Sequence, residues 1–272
     1  MRILYCGDVV GAAGRQVVLE HVPVLRMQLQ LDFVIVNGEN ATHGFGITAK
    51  TCDAFYKAGV DVITLGNHAW DQREIITYID KEVRLLRPLN YPAGTPGRGA
   101  VVYNAPKNRK ILVAQVMGRL FMDTLDDPFA VLDALLKQYA LGKKVQAIII
   151  DVHGEATSEK MAIGHFADGR ASLVVGSHTH VPTADAQILP RGTAYQTDAG
   201  MCGDYNSVIG LVKEQPLLRF TRKMPTERLR PAGGEGTLCG VYVETDEVEG
   251  HARVVCPLRL GGRLQPARLP PT

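Results

Sequence analysis

Short apolar runs rich in β-branched residues recur along this chain, and segments with helical periodicity separate them. The runs occupy residues 3–6, 33–36, 62–65, 111–116, 145–150 and 173–175, and helices are expected near 15–29, 48–58, 73–79, 128–140 and 158–167. Runs that stay apolar from end to end are strands buried on both faces. The rhythm therefore predicts an α/β fold with a parallel sheet covered by helices. Pro128 suits the first turn of its helix, where a missing N–H leaves no hydrogen bond unmade.

Two stretches break the rhythm, 87–99 and 187–207, both dense in Gly, Pro and polar residues, and both are read as loops over the site. A basic, proline-containing stretch runs from Leu217 through Pro231. Alternating segments at 237–244 and 252–260 then predict a closing antiparallel hairpin at the sheet edge, around residues 232–262. With 272 residues, 46% of them hydrophobic, and no internal repeat, residues 1–272 are read as a single domain with this C-terminal extension.

Ligands of open α/β sheets bind beyond the carboxyl ends of the strands. The first run here ends in Gly7-Asp8, the second in Asn37-Gly38-Glu39-Asn40 and the third in Gly66-Asn67-His68. The run at 145–150 leads to Asp151-Val152-His153, and the run at 173–175 to Gly176-Ser177-His178-Thr179-His180. Singly these are ordinary, because Asp and Asn are common turn residues and a lone histidine is usually structural. Together they bring Asp8, Glu39, Asn40, Asn67, His153, His178 and His180 to one rim. Imidazole, carboxylate and amide oxygen without thiolate suit iron, manganese or zinc. Seven groups exceed one tetrahedral site and match two ions that share a carboxylate, ~3.5–4 Å apart.

The 30 basic and 28 acidic residues nearly cancel, so no global basic field marks a nucleic-acid binder, and stable DNA binding is not expected. Aromatics are 6% of the chain, too few for a long single-strand stacking track, which favours a small nucleotide substrate. Cys6, Cys52, Cys202, Cys239 and Cys256 are scattered without a C-x-x-C pair, as reduced cytoplasmic thiols would be. No run approaches the ~20 apolar residues that cross a bilayer, and the first run is too short for a signal-peptide core. A cytoplasmic protein with no membrane partner is expected, and a homo-oligomer is compatible with this composition.

Gly66-Asn67-His68 and Gly176-Ser177-His178-Thr179-His180 resemble the G-N-H and G-H-x-H signatures of calcineurin-like metallophosphoesterases. With GDVVGAAGR, VNGENATHGFGI, LGNHAWD, RPLNYPAGTPGRG and HGEATSEK, the chain is similar to the YmdB-like branch of 2′,3′-cyclic-nucleotide 2′-phosphodiesterases over its first three quarters. The resemblance implies a layered α/β/β/α sandwich and a two-metal phosphodiesterase, with iron as the first choice of metal. The usual D-x-H motif reads Asp8-Val9-Val10 here, and Glu39 replaces the usual G-D-x-x-D aspartate, so Asn40 is expected to fill the missing position. The implied ligands are Asp8, Glu39, Asn40 and His180 for one ion, and Glu39, Asn67, His153 and His178 for the other.

His68, beside Asn67 but not among the ligands, is the expected general acid, with Asp71 either orienting it or capping the helix near Arg73. Asp151, two residues before His153 on an extended strand, is expected to accept the ring proton of His153. His21, His43, His165 and His251 lack strand-end placement and are read as surface or structural. The glycine-rich 94–99 lacks a P-loop ending, His153-Gly154-Glu155 lacks a deaminase P-C-x-x-C, and no G-x-S-x-G elbow occurs. Two rivals remain: the same chemistry on RNA ends, phospholipids or phosphoproteins, and a regulatory scaffold on a calcineurin-like fold. A filled ligand set disfavours the scaffold.

Overall fold

The computed structural model describes residues 1–225 and 227–267. Residue 226, within the basic stretch, and residues 268–272 of the single-domain reading lie outside the described residues. The first elements are β1 (Arg2–Cys6), α1 (Gly11–Gln28), β2 (Phe33–Asn37), α2 (Ala49–Lys57), β3 (Val62–Thr64), α3 (Ile75–Ile79) and β4 (Leu85–Leu86). There follow β5 (Ala100–Ala105), β6 (Arg109–Met117), α4 (Pro128–Gln138), β7 (Ala147–His153), α5 (Thr157–Ala167) and β8 (Leu173–Ser177). The last are β9 (Gln187–Ile188), β10 (Ala194–Gln196), β11 (Gly203–Asp204), α6 (Glu214–Arg222), β12 (Gly236–Thr245) and β13 (Ala252–Leu260).

Two mixed sheets form where the sequence rhythm alone suggests one parallel sheet. Among the described residues the first has the order β11-β12-β1-β2-β3-β4, with β13 also paired to β12, and the second β5-β6-β7-β8-β10-β9. Strands β1 to β4 are parallel, as are β6, β7, β8 and β10, whereas β5 and β9 close the second sheet antiparallel. The C-terminal hairpin is not merely an edge addition. β12 pairs along the whole of β1 in the interior of its sheet, and most of its residues are buried on both faces, from Thr237 through Val243.

Alternation along each strand divides the core into three layers. Ile3, Tyr5, Phe33 and Ile35 point between the sheets against Ile111, Val113, Ile149, Leu173 and Val175. Their neighbours Leu4, Val34 and Val36 point outward to α1 and α2 through Val18, Val22 and Phe55. On the far side Leu112, Ile148, Ile150 and Val174 meet Leu132 of α4 and Ile163 of α5. This is the α/β/β/α sandwich, and burial on both faces is why the runs read as continuously apolar. Each such buried Leu or Ile contributes about 1.5–3 kcal/mol. Among the described residues no helix is long and apolar enough to cross a membrane.

One polar hub ties the sheets together beneath the rim. Fully buried Asp151 of β7 accepts from Thr64 Oγ1 at 2.6 Å, Gln115 Nε2 at 3.0 Å, Asn37 Nδ2 at 3.3 Å and Ser177 Oγ at 2.7 Å. Burial pushes its carboxyl up, and the four donors supply the compensation that a buried carboxylate requires.

Candidate metal centre

The carboxyl ends of β1, β2 and β3 in one sheet face those of β7 and β8 in the other. Asp8, Glu39, Asn40, Asn67, His153, His178 and His180 all meet there, and His68 stands beside them. Glu39, 1% exposed, places Oε1 3.1 Å from His153 Nε2, and its Oε2 accepts the His68 backbone N–H at 3.1 Å. Asn67 Oδ1 and His178 Nδ1 approach the same His153 nitrogen, at 2.9 and 3.1 Å. Asp8 accepts the His178 backbone N–H at 3.1 Å, and Asn40 Oδ1 lies 3.3 Å from His180 Nε2. Two of the three groups among the described residues that could hold a metal ion lie here, Glu39-His153-His178 and Asp8-Glu39-His180, with ligand atoms within 4.8 Å of one another. Glu39 belongs to both.

The outer partners fix which ring nitrogen faces inward. Ser177 Oγ gives its own proton to Asp151 and so accepts His153 Nδ1–H at 2.9 Å. The Ile209 carbonyl accepts His180 Nδ1–H at 2.7 Å, and Glu155 Oε2 lies 3.3 Å from His178 Nε2. In their neutral forms His153 and His180 therefore each turn a lone pair toward an amide oxygen that also carries lone pairs, and His178 Nδ1 faces His153 Nε2. Asn40 also turns a lone pair inward, because its amide N–H is spent on the Gly44 carbonyl at 3.0 Å. Such a convergence of acceptors suits a bound cation, and orienting partners of this kind are what metal-bound histidines use. The residues present fit two metal ions.

The charges agree. Burial pushes Asp8 up to about 6. Burial also opposes ionisation of Glu39, but the neighbouring His153 and the His68 N–H outweigh it and hold the carboxyl down at about 2. His153 loses charge to burial and regains more from Glu39, Asp8 and Asp151, which push it up to about 9. Burial and the nearby His153 hold His178 down at about 3.

The backbone is strained where His178 and His180 sit. His178 has φ 96° and His180 φ 66°, and the β-branched Ile209 has φ 47°, all in the left-handed region that non-glycine residues avoid. The buried Lys160 ammonium holds this turn from below, donating to Ser177 O at 2.6 Å and Asp198 Oδ2 at 2.8 Å. Asp198 in turn accepts from Thr179 Oγ1 at 2.7 Å. Gly66 is the close approach in the other sheet: a Cβ there would lie 2.2 Å from Glu39 Oε2 and 2.5 Å from His153 Nε2.

A cavity of about 230 Å³ opens over the centre, lined by Glu39, Asn40, His68, Glu155, His178 and His180 and by the apolar Val10, Phe45, Ile209 and Leu211. His68 Nδ1 lies 2.9 Å from Asp71 Oδ2, and α3 starts at Ile75 without a side-chain cap, so Asp71 orients His68 and does not cap the helix. The expected direct bond from His153 to Asp151 is not formed, because the Ser177 hydroxyl stands between them. Sequence reasoning also missed Ser177, Glu155, Lys160 and Asp198 as supports. Glu155 and Lys160 lie in the stretch after His153, but only the fold shows what they touch.

The family profile described as YmdB-like protein matches residues 4–258. The chain belongs to the YmdB-like family. The 2′,3′-cyclic-nucleotide 2′-phosphodiesterase of Bacillus subtilis (strain 168) is 48% identical to this YmdB-like chain over 247 residues, 91% of this chain and 92% of that protein. The crystal structure of a hypothetical protein from Thermus thermophilus superposes with TM-score 0.90 at 43% identity, covering 97% of this chain and 100% of that one. That of a phosphatase from Mycoplasma pneumoniae superposes with TM-score 0.89 at 34% identity, covering 96% and 93%.

Proposed function

We propose that this YmdB-like chain is a metal-dependent phosphodiesterase that hydrolyses 2′,3′-cyclic nucleotides to 3′-nucleotides. The observation that carries the reading is the pair of inward ring nitrogens, on His153 and His180, each facing an amide oxygen on either side of the shared carboxylate Glu39. The likeness to the Bacillus subtilis enzyme supports the substrate class. Asp8, Glu39, Asn40 and His180 would hold one ion, and Glu39, Asn67, His153 and His178 the other. The donor set suits iron, manganese or zinc, and the resemblance to the YmdB-like branch puts iron first.

Bound ions would supply Lewis acidity and an activated water at neutral pH. The chain supplies position and protons. Asn40 and Asn67 present oxygens without adding charge, which leaves the centre cationic enough to attract a phosphodiester. His68 lines the cavity with Nδ1 held by Asp71, so its Nε2 is the nitrogen available to the substrate. With its ring held by Asp71, His68 passes its Nε2 proton to the departing ribose 2′ oxygen.

The test is anaerobic purification, metal analysis and assay of 2′,3′-cyclic AMP beside bis(p-nitrophenyl) phosphate, for the wild type and His68→Ala. The expected result is 3′-AMP as product and about a hundred- to ten-thousandfold loss of kcat in the variant with metal retained. Turnover of the generic diester without the cyclic nucleotide overturns the substrate. No turnover after reconstitution with iron or manganese overturns the enzyme.

A further inference from the structure

The cavity over the metal centre has two kinds of wall. On one side stand Glu39, Asn40, His68, Glu155, His178, Thr179 and His180, and on the other Val10, Gly44, Phe45, Ile209 and Leu211. The polar wall has almost nothing left to offer a nucleobase. The amide N–H of Asn40 is on Gly44, Glu155 faces His178, His68 Nδ1 is on Asp71, and Thr179 Oγ1 donates to Asp198. On the apolar side even the backbone is engaged. The Gly44 carbonyl is taken by Asn40, that of Phe45 by Gln72 Nε2 at 2.7 Å, and that of Ile209 by His180.

What remains is an aromatic ring on a pinned loop. Phe45 is half-buried and meets His68 edge to face, with centroids 5.0 Å apart and planes at 74°. Its loop is fastened by Arg15 to Ala41 O at 2.5 Å, by Thr42 N–H to Gly46 O at 2.9 Å on one return, and by Phe45 N–H to Thr42 O at 3.0 Å on the other. In the same loop, the Asn40 N–H that holds Gly44 frees Asn40 Oδ1 to face His180. A ring ordered before the ligand arrives loses little freedom on binding.

We propose that Phe45, with Ile209 and Leu211, is a base-binding platform that recognises a nucleobase by its face alone, so that the enzyme hydrolyses purine and pyrimidine 2′,3′-cyclic nucleotides alike. The inference rests on the substrate reading above and adds that base identity is not read. Every base has a π-face, and stacking on an aromatic side chain is tolerant of sequence for that reason. The phosphate and ribose, anchored at the metal centre and His68, supply the specificity that the base does not.

The experiment is steady-state kinetics of the metal-loaded wild type, Phe45→Ala and Phe45→Tyr on the 2′,3′-cyclic phosphates of adenosine, guanosine, cytidine and uridine, with base-free ribose 2′,3′-cyclic phosphate as reference. The wild type is expected to show kcat/KM values for the four nucleotides within about tenfold of one another. Phe45→Ala is expected to raise KM about tenfold or more for all four, and to raise KM for the base-free ester by a much smaller factor. Phe45→Tyr keeps the ring and restores KM, which separates loss of the platform from loss of the fold. A preference above about a hundredfold for one base, or an Ala variant with unaltered KM for the nucleotides, overturns the platform. Hydrolysis of bis(p-nitrophenyl) phosphate with none of the four nucleotides turned over overturns the substrate reading on which it rests.

Discussion

His153 Nε2 and Asn67 Oδ1 lie 2.9 Å apart, and in the neutral ring neither atom has a proton to give the other, because His153 Nδ1–H is bonded to Ser177. A metal ion held by both atoms accounts for that distance with the ring neutral, and the Ser177 hydroxyl decides which nitrogen meets it. Ser177→Ala removes the acceptor and frees the ring to take the wrong tautomer. Metal affinity is expected to fall about 10–100-fold, read by chelator competition, while circular dichroism stays that of the wild type.

Gly66 tests the same centre by volume. The Cβ of Gly66→Ala would enter the space between Glu39 Oε2 and His153 Nε2, at 2.2 and 2.5 Å, where neither group can retreat without leaving the cluster. Metal analysis of the variant is expected to show less than the wild-type content, with activity lowered at least about a hundredfold. Full metal content at wild-type activity would contradict the geometry.

Lys160 and Asp198 are 1% and 0% exposed, and the ion pair between them holds the strained turn of His178 and His180. Lys160→Met leaves the Asp198 carboxylate buried without its partner, which is expected to cost about 3–5 kcal/mol in denaturant unfolding. The double variant Lys160→Met with Asp198→Asn removes the orphaned charge and is expected to recover part of that loss.

Asp185 accepts from Thr197 N–H at 3.2 Å and from Thr197 Oγ1. Burial works against its ionisation, but the bonds from Thr183 and Thr197 outweigh it, and the folded carboxyl sits below its ordinary value of 3.8. A depressed carboxylate contributes stability that is present above the unfolded value and is lost as pH falls through the folded one. Unfolding followed from about pH 5 downward is therefore expected to show a shallower acid decline in Asp185→Asn than in the wild type.

The strands that carry Asp8, Glu39, Asn67, His153 and His178 are legible in the sequence because each is buried on both faces and ends abruptly in polar residues. Which strands share a sheet is not legible. Periodicity reports the faces of a strand and says nothing of its neighbours, so it predicts one parallel sheet where two mixed ones form. β5 escapes the pattern because it is a half-exposed edge strand whose hairpin turns through Lys107 and Asn108, at φ 62° and 56°, and Lys is an unusual residue for such a turn. α6 escapes it because Leu217 and Phe220, 51% and 82% exposed, do not mark a buried face. β10 lies hidden between Gly192 and Gly200 in a stretch that reads as loop. Ser177, Glu155 and Lys160 support the ligands through contacts between elements, which no local pattern encodes.

Two ions joined through Glu39 would each scatter from the other in X-ray absorption at the metal edge, measured on wild type and Glu39→Gln loaded with the same metal. About two ions per chain with a metal–metal distance of about 3.5–4 Å are expected in the wild type, and loss of that scatterer with reduced loading in the variant. A single isolated ion in the wild type, or an unchanged metal–metal distance in Glu39→Gln, would contradict a bridge through Glu39.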